Sequence, residues 1–265
     1  MKTIGKIATL LFLTLLTISC SSNDEIPSTK IKKEEISSKW EIENSNYKSF
    51  EFNKDGNYII VKSASANKSK SQKNEKNILL GQYEIVDDKT INLIDFGQII
   101  ISSINGTKMD FTIVDNKTST SIEVSSSKIE KISSSSNTDL LCRTWKMTEV
   151  NGEDVVGTIN ELTVIFSQAG TYFVELANPT SENEGGLAEW KWEDAKENKF
   201  CYSWEGEANC TGDNSVSIAE IKENLLVLME GKETFKLEPI SNSVPKSTKK
   251  PTKTVNLKKG VFSKF

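Results

Sequence analysis

Residues 162–176 read LTVIFSQAGTYFVEL: an apolar-rich run, a turn at Ala169-Gly170 and a second run. Two short runs rich in β-branched and aromatic residues, with a glycine between them, mark a hairpin. Residues 50–61, FEFNKDGNYIIV, have the same form. Phe52, Gly56 and Tyr58 recur as Phe166, Gly170 and Tyr172, and the offset is 114 residues at all three positions. That period is too long for a solenoid repeat and suits two copies of a small domain.

Outward from the two hairpins, each half of the chain breaks into about eight short strand candidates separated by turn signals. In the first half, residues 39–124, these signals include Asp55-Gly56, Asp87-Asp88, Asn105-Gly106 and Asp115-Asn116. In the second, residues 140–240, they include Gly170, Gly206, Gly212-Asp213 and Gly231-Lys232. Short strands at such spacing predict an all-β fold of two small meander domains in tandem, each closing into a barrel or folding as a sandwich. Residues 62–77 form a polar, lysine-rich interruption, and residues 125–139, SSSKIEKISSSSNTD, have the composition of a linker. Residues 241–265 are basic and offer little to bury, so a disordered tail is expected there.

The chain begins with Lys2 and Lys6, followed by an apolar run at residues 7–18 that is too short for a comfortable membrane span. This pattern suits a signal peptide over residues 1–19. The run ends in Leu16-Thr17-Ile18-Ser19-Cys20, which resembles the lipobox of bacterial lipoproteins. The resemblance implies cleavage before Cys20, a diacylglyceryl thioether on its sulfur and an acylated (palmitate-type) amino terminus. Several acyl chains together hold a protein stably at a membrane. Residues 20–38 then read as a polar tether. Asp24 and Glu25, just past Cys20, resemble the surface-export signal of some Gram-negative lipoproteins, which implies the outer membrane and display at the cell surface.

A second resemblance lies in the body. Residues 140–147 (LLCRTWKM), the 162–172 hairpin, Trp190-Lys191-Trp192, residues 225–231 (LLVLMEG) and residues 234–240 (TFKLEPI) are similar to the lipocalin-like domains of bacterial lipoproteins. The first half is similar through Trp40, Phe52, Gly56, Tyr58 and Gly81-Gln82-Tyr83. The resembling residues are structural, so they imply a fold and no particular activity.

The composition narrows the chemistry. The chain holds no histidine and one arginine, Arg143, which leaves no Ser-His-Asp triad, Cys-His pair or histidine-based metal centre. Lys and Arg number 33 against 37 Asp and Glu, yet residues 242–265 hold seven lysines and no acid. The rest of the body is therefore acidic, which argues against nucleic acid as a partner. Neither a cofactor motif nor CxxC spacing is present, and no metal site is expected.

The candidate site is aromatic. Trp190 and Trp192 share one face of a strand, and Phe200, Tyr202 and Trp204 share one face of the next. A turn near Lys196 sets Trp192 opposite Phe200 and Trp190 opposite Tyr202. The set serves either as the core of a small barrel or as the lining of a pocket for a small hydrophobic or carbohydrate ligand. Lys191, Glu193, Cys201 and Ser203 then face solvent. Cys201 and Cys210 are candidates for a disulfide, which would contribute roughly 2.7 kcal/mol in the chain-entropy model, and either can instead pair with Cys142. Glu182, Glu184, Glu189, Glu205, Glu207 and Asp213 form a solvated acidic rim or contain a glycosidase-type carboxylate pair. The leading expectation is a membrane-anchored lipoprotein that binds a ligand without catalysis. The alternative is a surface interaction or assembly protein whose barrels are filled by its own side chains.

Overall fold

The computed structural model describes residues 31–63, 78–176, 185–204, 207–210, 214–240 and 262. They form two closed antiparallel barrels in tandem, the all-β architecture expected from the two hairpins. The signal peptide, Cys20 and all of 241–265 except Phe262 lie outside the described residues.

Barrel 1 follows a short helix, α1 (Lys33–Ile36). Its strands are β1 (Lys39–Ile42), β2 (Tyr47–Phe52), β3 (Asn57–Lys62), β4 (Ile78–Ile85), β5 (Thr90–Leu93), β6 (Gly97–Ile104), β7 (Lys108–Asp115) and β8 (Thr120–Lys128). Barrel 2 follows α2 (Ser136–Leu141). Its strands are β9 (Thr144–Val150), β10 (Glu153–Asp154), β11 (Leu162–Phe166), β12 (Thr171–Leu176), β13 (Gly185–Trp192), β14 (Lys199–Ser203), β15 (Ser215–Lys222), β16 (Leu225–Glu230) and β17 (Glu233–Pro239). Each barrel closes through its first long strand: β1 pairs with both β2 and β8, and β9 with both β11 and β17. The two-residue β10 adds to the end of β9.

The repeat extends to atomic detail. In the β2–β3 turn, Asn53 N–H donates to Asn57 O and Gly56 N–H to Asn53 O; in the β11–β12 turn, Ser167 N–H donates to Thr171 O and Gly170 N–H to Ser167 O. Gly56 and Gly170 have φ of 91° and 82°, a region that other residues enter only under strain. Each barrel also carries a fully buried tryptophan on its closing strand. The indole N–H of Trp40 donates to Ile36 O, and that of Trp145 to Leu141 O, both at 2.9 Å. Each tryptophan thus ties the helix before it to the barrel.

Two segments differ from their sequence-based reading. The serine run that marks a linker is partly strand. Residues 125–128 finish β8, and Ser126 pairs with both Ile42 and Met109 while its hydroxyl donates to Met109 O at 2.7 Å. Residues 136–141 form α2, and Ile132 packs against the core of barrel 2. Serine composition suggested a loop because it signals polarity, whereas in β8 Ser125 and Ser127 face outward and the buried Ser126 satisfies its hydroxyl on a backbone carbonyl. Likewise the stretch read as a tether, 20–38, contains α1, whose Ile36 is buried in the core of barrel 1.

The barrels meet through their equivalent hairpins. Tyr58 and Ile60 point into barrel 1 and Tyr172 and Val174 into barrel 2, so Ile59 and Phe173 point outward. These two residues and Ile165 form a buried apolar cluster between the barrels, flanked by Val61, Ile78, Leu80 and Leu187. Polar bonds border it. Asp55 accepts from Thr144 N–H (2.9 Å) and Thr144 Oγ1 (2.6 Å), and Asn57 Nδ2 donates to Thr144 Oγ1 at 2.7 Å.

Glu51, also on the outer face of β2, is buried at this junction and bonded to the Ser167 and Thr171 hydroxyls of the other barrel. Burial pushes its carboxyl above the usual range, and the two hydroxyls and Lys39 only partly oppose that. The folded protein therefore binds this proton more tightly than the unfolded chain does. The stabilising contribution is complete below the unfolded carboxyl's pKa, about 4.3, and is lost as the pH rises through the raised folded value. Glu51→Gln should raise the Tm at pH 7 and lose its advantage at pH 4. Melting curves of both proteins at the two pH values check this, and an equal shift at both would reject the buried carboxylate as the cause.

Candidate functional site in barrel 2

Strands β13 and β14 pair in the expected register, with Trp190 opposite Tyr202 and Trp192 opposite Phe200. Trp190, Phe200 and Tyr202 are buried, whereas Trp192 and Trp204 are half-buried. The structure brings all five together but divides them between the two ends of the barrel.

Toward the α2 end, Trp190 packs edge-on against Phe166 (5.8 Å), Trp192 (5.1 Å) and Phe200 (6.0 Å). Its indole N–H donates to Ser167 O at 3.0 Å. Trp192 donates its indole N–H to Thr138 Oγ1 on α2 at 2.8 Å. Buried indoles supply large apolar area yet need a partner for one N–H, and both have one here. This end is packed core.

Toward the other end stand Tyr172, Tyr202, Trp204 and Phe235. The Tyr172 ring lies 5.4 Å from Trp204 and 6.3 Å from Tyr202. Tyr202 donates its hydroxyl to Glu230 Oε1 at 2.7 Å. Burial raises the Tyr202 hydroxyl pKa, and the hydrogen bond to Glu230 and the charge of that carboxylate add to it. Burial raises Tyr172 as well. Both phenols therefore remain neutral and act as hydrogen-bonding groups.

Phe262 completes this end. It is 1% exposed, with its ring 4.8 Å from Phe235 and 6.4 Å from Tyr172. The tail was expected to be disordered on its lysine content, and this one residue of it is instead seated in the core of barrel 2. Neither Phe262 nor Phe235 belongs to the set read from sequence. The available signal for Phe262 was the pair Val261-Phe262, apolar within a lysine-rich stretch.

Cys201 and Cys210 are joined by a disulfide, and Cys142 is a free thiol. Cys201 was expected to face solvent and is fully buried. Its position on the outer face of β14 is as expected, but the disulfide draws residues 207–210 onto that face, where Ala208 is buried too. Burial pushes the Cys142 thiol well above its ordinary value, and the nearby Glu51 carboxylate adds to the shift.

Other recesses are shallower in purpose. An open polar cleft of about 860 Å³ runs along β8 and the end of β1, lined by Glu41, Glu43, Lys108 and Glu123 among others. A recess of about 170 Å³ between the barrels is bordered by Lys39, Lys48, Glu189 and Trp204. Of the candidate acids, Glu189 and Glu207 are exposed, while Glu182, Glu184, Glu205 and Asp213 lie outside the described residues. Among the described residues, no group of three or more acidic or cysteine side chains stands close enough to hold a metal ion.

No family model matches the chain. No curated protein matches it either. Among solved structures, the DNA polymerase III beta chain of Streptococcus pneumoniae TIGR4 is 11% identical over 85% of this chain and 60% of its own length, with a TM-score of 0.12. That likeness is too slight to carry an argument about fold or function.

Trp190→Ala should destabilise barrel 2 by about 3–5 kcal/mol, the range for removing a large buried aromatic. Trp192→Phe removes the bond to Thr138 and should cost about 1 kcal/mol. Denaturant unfolding of the two variants measures both, and equal small losses would show that the indoles do not hold the core.

Proposed function

We propose that the chain is a lipid-anchored envelope protein with lipocalin-like barrels that works by binding other macromolecules and performs no chemistry. The observation that carries this reading is the packed interior. Trp40, Phe50, Phe52 and Phe111 in barrel 1, and Trp145, Phe166, Trp190 and Phe200 in barrel 2, are each at most 1% exposed and belong to continuous cores. A barrel that encloses a ligand keeps space among such side chains. Here the aromatics meet one another instead, which supports the reading in which the outer surfaces and barrel ends do the binding.

Membrane attachment rests on the sequence: the charged start, the apolar run and Ser19-Cys20. Among the described residues, no helix is long and apolar enough to cross a membrane. In this reading the protein sits at the outer membrane through lipid on Cys20 and faces the cell surface, as the sequence around Cys20 suggests.

Native mass spectrometry of the protein extracted from its own cells tests both halves of the proposal. The expected mass is the chain from Cys20 onward plus its lipid, with no retained small molecule. A stoichiometric small ligand would overturn the filled-barrel reading. A Cys20→Ala variant that still incorporates labelled fatty acid would overturn the anchor.

A further inference from the structure

The two ends of barrel 2 are closed by different means. At one end, α2 is bonded to Trp145 and Trp192 and belongs to the continuous fold leading into β9. At the other, Phe235 pairs with Val150, the last residue of β9, and the space beside it is filled by Phe262. Phe262 lies in no strand, and the hydrogen-bonded barrel closes through β9 and β17 without it. The ring comes from a segment whose stretch 241–261 is lysine-rich and free of aspartate and glutamate.

We propose that the Phe262 seat is a binding site for an aromatic side chain presented by a basic peptide, filled in cis by this chain's own tail and in trans by the tail of a second copy. The seat is built for a ring: Phe235 meets Phe262 edge-on at 72°, and Tyr172 meets it at 60°. Its rim suits a basic flank. The Glu230 carboxylate is held there by Tyr202, half-buried Trp204 stands beside Tyr172, and the body outside the tail is acidic. Lys258, Lys259 and Lys264 flank Phe262 in sequence, so the occupant carries the complementary charge. The 21 residues between Ile240 and Phe262 span up to roughly 70 Å when extended, enough for a neighbouring barrel as well as their own. A tail held in cis acts at an effective concentration of the order of mM, so exchange to a neighbour requires chains crowded on one surface. Lipid anchoring provides that crowding. The inference thus rests on the proposed role as a surface interaction protein and names its partner.

The test is a titration of labelled peptide 255–265, VNLKKGVFSKF, into the full-length protein followed by fluorescence anisotropy. Phe262→Ala, with its seat vacant, should bind one peptide per chain at least ~tenfold more tightly than the unmodified protein, whose tethered ring competes. A peptide with alanine in place of this phenylalanine should lose that binding. Equal binding to both proteins, or binding that ignores the phenylalanine, would overturn the proposal. So would a folded Phe262→Ala protein that takes up no peptide. A second variant covers the case in which Phe262→Ala does not fold: the full chain with a protease site placed in residues 241–254, cut after folding. Its tail fragment should then exchange with labelled peptide, and a fragment that never exchanges would make Phe262 permanent core. Neither arm depends on the lipid or on a native ligand, so failure here leaves the outcome of the mass measurement independent.

Discussion

Each barrel depends on one strand that must be hydrogen-bonded along both edges. β1 and β9 meet this demand, and each carries a buried tryptophan whose N–H reaches back four residues to a helix carbonyl. A closed sheet leaves no exposed edge to pair with another chain. The tryptophan at the closing strand adds a second condition, because its ring fills the interior only when the preceding helix lies across that end. Closure, core and helix placement are therefore one requirement met twice. This explains why the repeat includes short helices that neither hairpin announces.

The second consequence of repetition is how the halves meet. The same hairpin in each barrel turns its outer face to the other, through Ile59, Ile165 and Phe173. Apolar burial at this junction is bordered by directional bonds among Asp55, Asn57 and Thr144 and includes the buried carboxyl of Glu51. A buried carboxyl is a poor stabiliser, and its presence here makes the junction sensitive to protons. The Cys142 thiol, near the same carboxylate, is pushed well above its ordinary value by burial.

The aromatic set shows why a sequence pattern does not choose between core and pocket. The alternation that brings Trp190, Phe200 and Tyr202 to one face is identical in both cases. What distinguishes them is whether rings from other strands fill the space between. Phe166 does so at the α2 end, and Phe262 at the opposite end, the latter from outside the barrel's own strands. A binding role is therefore best sought at the end where the filling residue is supplied by the tail.

The amino-acid sequence by itself determined two hairpins 114 residues apart, an all-β tandem and the facing of Trp190 with Tyr202 and Trp192 with Phe200. These follow from period-two alternation and from turns that require glycine, both of which are local. The runs Tyr58-Ile59-Ile60 and Tyr172-Phe173-Val174 put bulky apolar side chains on both faces of their strands, without saying against what. Only the tertiary structure decided that the second face is the other barrel, that a serine run continues as β8, and that Cys201 is covered by its disulfide loop. It alone decided that Phe262 enters the barrel. Each of these depends on what lies across space from a residue, and no pattern within a strand, linker or tail carries that information.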